Sequence, residues 1–200
     1  MRAFRSGTDL PPGVVKRFKM KHQASRDVFT YWDRLRGEAA LPDRRDFDPV
    51  AVRKWLDWIV MLDTDMQSGA PIRVSTTGLG ALFGRELRGE SFVSLWNLGD
   101  RAETIDLIDS ACLGAEPACA TVEVSAPDRD PVEMELLVLP FRRLGASGSR
   151  ALCVMSFKTL PTWIGLIPAN RLAWPKRPAA SNGLTKPPVR APGHLISSAR

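Results

Sequence analysis

Carboxylates are the side chains of this sequence spaced closely enough to suggest chemistry. Glu133 and Glu135 lie two apart in an alternating stretch, so both project from one strand face, where a general acid and a general base could work as a pair. Their apolar neighbours alternate as in a strand with one wet face, and an exposed polar face is the reading adopted. Asp43, Asp46 and Asp48 offer oxygens to a cation, yet Arg44 and Arg45 stand among them and the glycine of a calcium loop is missing. No metal is expected there. Gly78, Leu79 and Gly80 with Gly84 look like a phosphate loop without its Lys and Ser/Thr, and the glycines are read as tight turns between short helices. His22 and His194, the two histidines, both fall outside the region expected to fold, which removes a His-based triad or metal site from the core. Cys112, Cys119 and Cys153 have no C-x-x-C spacing and are read as free thiols of a reducing compartment. No catalytic set is left, and the expectation is a protein that is not an enzyme.

The elements that must position these groups follow from periodicity. Ser25 is placed as an N-cap, after which Val28, Tyr31, Trp32 and Leu35 fall on one helix face that Gly37 can end. Asp48 and Pro49 start a second helix to about residue 58, with Val52, Trp55, Leu56 and Ile59 on one side. Ile59 to Leu62 and Ile72 to Ser75 read as short strands. Leu79, Leu82 and Phe83, then Phe92, Val93, Leu95 and Trp96, make short helical pieces. Asp100 is expected to cap a longer helix that turns Ile105, Ile108 and Cys112 inward and Glu103, Asp106 and Asp109 outward. Val122 and Val124, a turn through Pro127 and Pro131, and Val132 to Val138 make an antiparallel hairpin that Pro140 ends. After a second turn at Gly145 to Ser149, Ala151 to Phe157 supplies the last strand. The order predicts an α+β domain with a five-stranded antiparallel sheet, helices on one face of it, and helices preceding it.

Charge divides the chain in the same way. The net charge is +6, but residues 1–22 carry +5, residues 168–200 carry +6, and the body between them is at −5. An acidic body argues against a folded face that grips phosphate, while basic ends leave a salt-sensitive contact with nucleic acid or anionic membrane as the alternative function. The last 33 residues hold six of the 16 prolines and few large apolar groups. The expected division is a basic flexible arm over 1–22, a folded domain over 23–167 ending near Trp163, and a disordered basic tail over 168–200. The N-terminus lacks the apolar run of a secretory signal and no 18 apolar residues run together, so a soluble cytoplasmic protein is expected.

Several stretches together resemble the single-domain PAS-type proteins common in alphaproteobacteria. They are Tyr31 to Gly37; Leu41 and Pro42 with Arg44, Asp46, Asp48 and Pro49; Ile59 to Asp63; Phe83 to Gly89; and Leu137 to Pro140. The likeness covers about residues 25–160. Ser75 to Gly78 departs from it, because a more apolar strand end would be expected before the glycine.

The resemblance implies a PAS fold, in which helices cross the concave face of a five-stranded sheet and a small ligand can lodge between the two. It implies a sensory or regulatory role, dimerisation or partner binding, and rarely catalysis. The candidate pocket wall is Leu82, Phe83, Leu87, Phe92, Trp96, Ile105, Ile108, Val124, Leu136 and Val154; plain core packing is the competing reading. A His-ligated haem is disfavoured for lack of a core histidine. A photoactive flavin is disfavoured because the residues around Cys112 do not match the reactive-Cys motif of such sensors, and no cofactor is predicted. Any signal then leaves by protein contact in a signalling pathway. Val28, Tyr31, Trp32 and Leu35 are the candidate surface, packing either on the sheet or on a second copy in a homodimer.

Overall fold

A computed structural model describes residues 20–142 and 149–175. Among them one antiparallel sheet carries β1 (Ile59–Asp63), β2 (Ile72–Val74), β3 (Ala118–Ser125), β4 (Val132–Phe141), β5 (Arg150–Ser156) and β6 (Arg171–Ala173), in the order β2-β1-β5-β4-β3-β6. The helices are α1 (Gln23–Arg36), α2 (Thr77–Phe83) and α3 (Arg101–Gly114), with 3-10 segments between them. The second turn expected at Gly145 to Ser149 lies almost wholly outside the described residues.

The alternation in the central strands is what divides the molecule. In β4, Met134, Leu136 and Val138 join one apolar cluster, while Leu137, Leu139 and Phe141 join another. In β5, Ala151, Cys153 and Met155 face the first, and Leu152 and Val154 the second. A strand buried on both sides needs cover on both sides. α2, the 3-10 segment Phe92–Leu95 and α3 cover the inner face; α1 and the 3-10 segment Pro49–Trp58 cover the outer face. The expectation of helices on one face is therefore corrected, and the N-terminal helices supply the second layer.

α1 begins earlier than expected. Residue His22 occupies the N-cap, and Ser25, expected there, is buried within the helix with its Oγ 3.3 Å from Ser156 Oγ. Asp48 does cap, accepting from the Val50 N–H, but Pro49–Trp58 is a 3-10 helix broken at Val52. The break lets Val52 bury itself while Trp55 and Leu56 stay half-exposed. In α3 the inward residues are Thr104, Leu107, Ile108 and Ala111, with Ile105 and Cys112 only half-buried. Asp100 makes no side-chain cap, because its backbone is already helical at φ −96°, ψ −8°.

Pro140 does not end β4, which runs on to Phe141. Pairing with β3 stops at Val138, so on that side no neighbouring strand asks Pro140 for the N–H it lacks. Its carbonyl instead accepts from Trp32 Nε1 at 2.9 Å.

The fold also runs past Trp163. β6 pairs Leu172 with Val124, Asn97 N–H donates to Leu172 O, and Ala169 N–H donates to Leu82 O at 2.7 Å. Leu172 and Trp174 are buried in the inner cluster. Two or three large apolar groups suffice to order a short segment that finds partners for its backbone, which the proline count of the tail as a whole concealed. Among the described residues no helix is long and apolar enough to cross a membrane.

Candidate functional site

On the inner face, Leu82, Phe83, Leu87, Phe92, Trp96, Ile108, Val124 and Leu136 form one cluster, each at most 2% exposed. Ile105 sits half-buried at its edge. Val154 is not part of this wall. It faces the outer layer, because β5 alternates and Cys153 and Met155 take the inner positions. Among the inner residues is a pair unforeseen from sequence, Trp96 stacked on Trp174 with ring centroids 5.4 Å apart. Among the described residues neither buried indole N–H has a hydrogen-bond partner.

The outer face places the candidate contact residues differently from one another. Val28 and Trp32 are buried against the sheet, whereas Tyr31 and Leu35 are half-buried at the margin, Tyr31 Oη accepting from the Asp48 N–H. Of the two packings weighed for this stripe, the sheet of the same chain takes its centre.

His22 belongs to the fold, contrary to expectation. Its Nδ1 lies 3.0 Å from both Ser156 O and Ser156 Oγ, and the residue is 6% exposed. It sits on the α1 side of the sheet, away from the inner cluster; His194 lies outside the described residues. Glu135, expected on an exposed face, is buried. Its carboxylate accepts from the Lys21 N–H at 2.6 Å and the His22 N–H at 3.2 Å, so a charged acceptor on β4 pins the chain as it enters α1. Glu133 stays exposed and pairs with Lys21 Nζ at 2.9 Å. The two carboxylates share a face but do separate structural work, and Lys21 and His22 are part of the domain, not of a flexible arm.

Asp43 and Asp48 are likewise employed singly. Asp43 is buried and accepts from Arg45 Nε, from Arg45 and Arg142 side-chain nitrogens at 2.9 and 3.1 Å, and from the Arg45 N–H. The Arg45 hydrogen bonds hold its carboxyl well below the usual carboxylate range. It thereby ties the segment before Pro49 to the end of β4. A depressed pKa of this kind contributes stability above the unfolded-state value of about 4, lost as pH falls through the folded-state value. Asp43→Asn is therefore expected to lower the urea midpoint by a constant amount above about pH 5, with the gap to wild type narrowing as pH drops below about 4. An unchanged gap at pH 3 would show that the ion pairs are not what Asp43 contributes.

Burial, reinforced by nearby Asp109 and Glu135 respectively, pushes the Cys112 and Cys119 thiols up to about 12, and burial raises Cys153 further. None is a thiolate nucleophile at neutral pH.

Two open clefts flank Trp55, the first where the inner and outer layers meet and the second on the outer layer. The first, about 430 Å³, has a floor of Trp58, Phe157 and Leu160 and a rim of Lys21, Arg26 and Lys158. The second, about 400 Å³, runs between α1 and Pro49–Trp58 past Tyr31, Arg34 and Lys54. Sequence reading gave Trp55 only as a helix-face residue and missed the cations, because they come from three separate elements.

A single antiparallel sheet covered by helices on both faces, with a closed apolar inner layer, defines a class of small α+β folds. A sequence model described as PAS domain matches residues 20–156, and the chain belongs to that family. PAS domains are sensory and regulatory modules, typically not catalysts. No curated protein matches the chain.

Proposed function

We propose that this protein is a non-enzymatic PAS regulatory module that passes a signal between its two layers and hands it on by protein contact. The observation that carries this reading is that β4 and β5 are shared: alternate residues of each strand line the inner cluster and the α1 layer. A shift of these strands on the inner side is felt by α1 through Trp32 on Pro140 and through His22 and Ser25 on Ser156. The indoles of Trp96 and Trp174, which find no hydrogen-bond partner among the described residues, favour the inner layer as the place where a small hydrogen-bond acceptor would be sensed, since a buried donor left unsatisfied costs about 1–3 kcal/mol. Neither a haem nor a photoactive flavin is part of the reading, and action in the cytoplasm, in a homodimer or with another signalling protein, is.

The test is native mass spectrometry of the gently purified full chain, with hydrogen exchange of α1 in wild type and Leu136→Ala. A retained small-molecule mass or a dimer, with α1 amides exchanging faster in the variant although Leu136 faces the other layer, is expected. A bare monomer of 22.1 kDa whose α1 exchange is unmoved would overturn it.

A further inference from the structure

From the two clefts beside Trp55 we infer a docking surface for an acidic segment of a partner protein that carries an apolar side chain as its anchor. This deepens the regulatory reading and rests on it, since it names where the contact is made and with what chemistry. The body of the chain is at −5, yet the seam between α1 and Pro49–Trp58 gathers cations from three elements. Arg34 and Lys54 lie over the rings of Tyr31 and Trp55, at 5.9 and 4.7 Å, and no described carboxylate pairs with them or with Lys158. Asp27, the carboxylate in the seam, is occupied by the Trp55 and Gln23 side chains. In the first cleft Lys21 pairs with Glu133 and Arg26 donates to Met20 O, Lys21 O and Gln23, which leaves Lys158 there, with Arg34 and Lys54 in the second, as positive charge that no described carboxylate neutralises; beside an aromatic floor in which Trp58 meets Phe157 edge-on at 5.5 Å, this is complementary to carboxylates flanking an aliphatic or aromatic residue.

A nucleic acid fits less well. Its phosphates would meet the field of an acidic body, and the clefts are two short basins parted by Trp55, not a continuous track. The seam is also continuous with the layer that β4 and β5 move, which gives the docked segment a direct link to the sensing side.

The experiment uses the full chain and a fluorescein-labelled 12-residue peptide of Glu and Ser around a central Leu-Phe pair. Its counterpart has Gln for Glu; a 12-nucleotide single-stranded DNA and phosphatidylglycerol vesicles are the other polyanions. Lys54 and Lys158 are exposed, so Lys54→Glu with Lys158→Glu leaves the fold and both basic ends intact. Wild type is expected to bind the Glu peptide at least tenfold more tightly than the Gln peptide, and the double variant to lose at least tenfold for the Glu peptide while DNA and vesicle binding hold. Equal peptide affinity of wild type and variant overturns the proposal, and so does a parallel loss of DNA or vesicle binding, which would mark a general polyanion surface. If peptide discrimination fails while α1 exchange still responds to Leu136→Ala, this surface alone is wrong. If peptide binding holds and the exchange response fails, the regulatory coupling is wrong.

Discussion

Trp32→Ala is expected to lower the stability of the full chain by about 3–5 kcal/mol, the range for removing a buried indole, which at neutral pH is a large part of what a domain of this size possesses. Trp32 is 2% exposed, packs in the outer cluster, and donates to Pro140 O. The substitution opens a cavity between α1 and the sheet and also leaves the Pro140 carbonyl without its donor. Trp32→Phe weights the two effects differently, because it keeps a six-membered aromatic ring in place while removing the N–H and leaving a smaller cavity; about 1–3 kcal/mol is expected for it. Urea unfolding at pH 7 reads both. A loss below about 1 kcal/mol for the alanine variant would mean that α1 is not docked as described, and the layered account would fail with it.

The second large effect concerns the C-terminal boundary. A chain ending at residue 167 should be less stable than one ending at 175 by about 3–6 kcal/mol, from the lost burial of Leu172 and Trp174 at about 1.5–3 kcal/mol each. The eight residues also take away β6 and the partners of Leu82 O, Asn97 N and Ser125 O. Pro168 adds contact at α2, where a β-carbon built on Gly84 would stand 2.6 Å from its Cγ. Thermal unfolding of the two truncations decides the matter, and equal melting temperatures would restore residue 167 as the end of the fold.

What sequence disclosed and what it hid have physical causes. Elements whose apolar positions repeat with one period were legible: β1, the β3–β4 hairpin, the Asp48 cap and the Val28–Trp32 stripe stand as expected. The PAS resemblance rested on several short stretches taken together, and the family match covers nearly the same part of the chain. Of the residues offered as a pocket wall, eight share the inner cluster, Ile105 lies at its edge, and Val154 takes the opposite face because neighbours along β5 alternate between the two sides. Glu135 and His22 were hidden because their burial depends on each other across 113 residues; each alone reads as a surface group. β6 was hidden because three residues carry no periodicity. The basic clefts were hidden because Lys21 and Lys158, which share one, and Arg34 and Lys54, which share the other, are distant in sequence and are brought together only when α1 lies down on the sheet.

That docking of α1 sets an order of events during synthesis. Trp32 must wait for Pro140, 108 residues further on, and His22 for Ser156, 134 residues on. At a translation rate of about 5–20 residues per second the apolar stripe of α1 spends roughly 5–20 s without its sheet. The hairpin of β3 and β4 can form first from local contacts, and only the arrival of β5 gives β1 its long partner and α1 its floor. The nascent chain therefore carries an uncovered apolar helix until β4 and β5 have been made, and in that interval it is a client for whatever shields such helices.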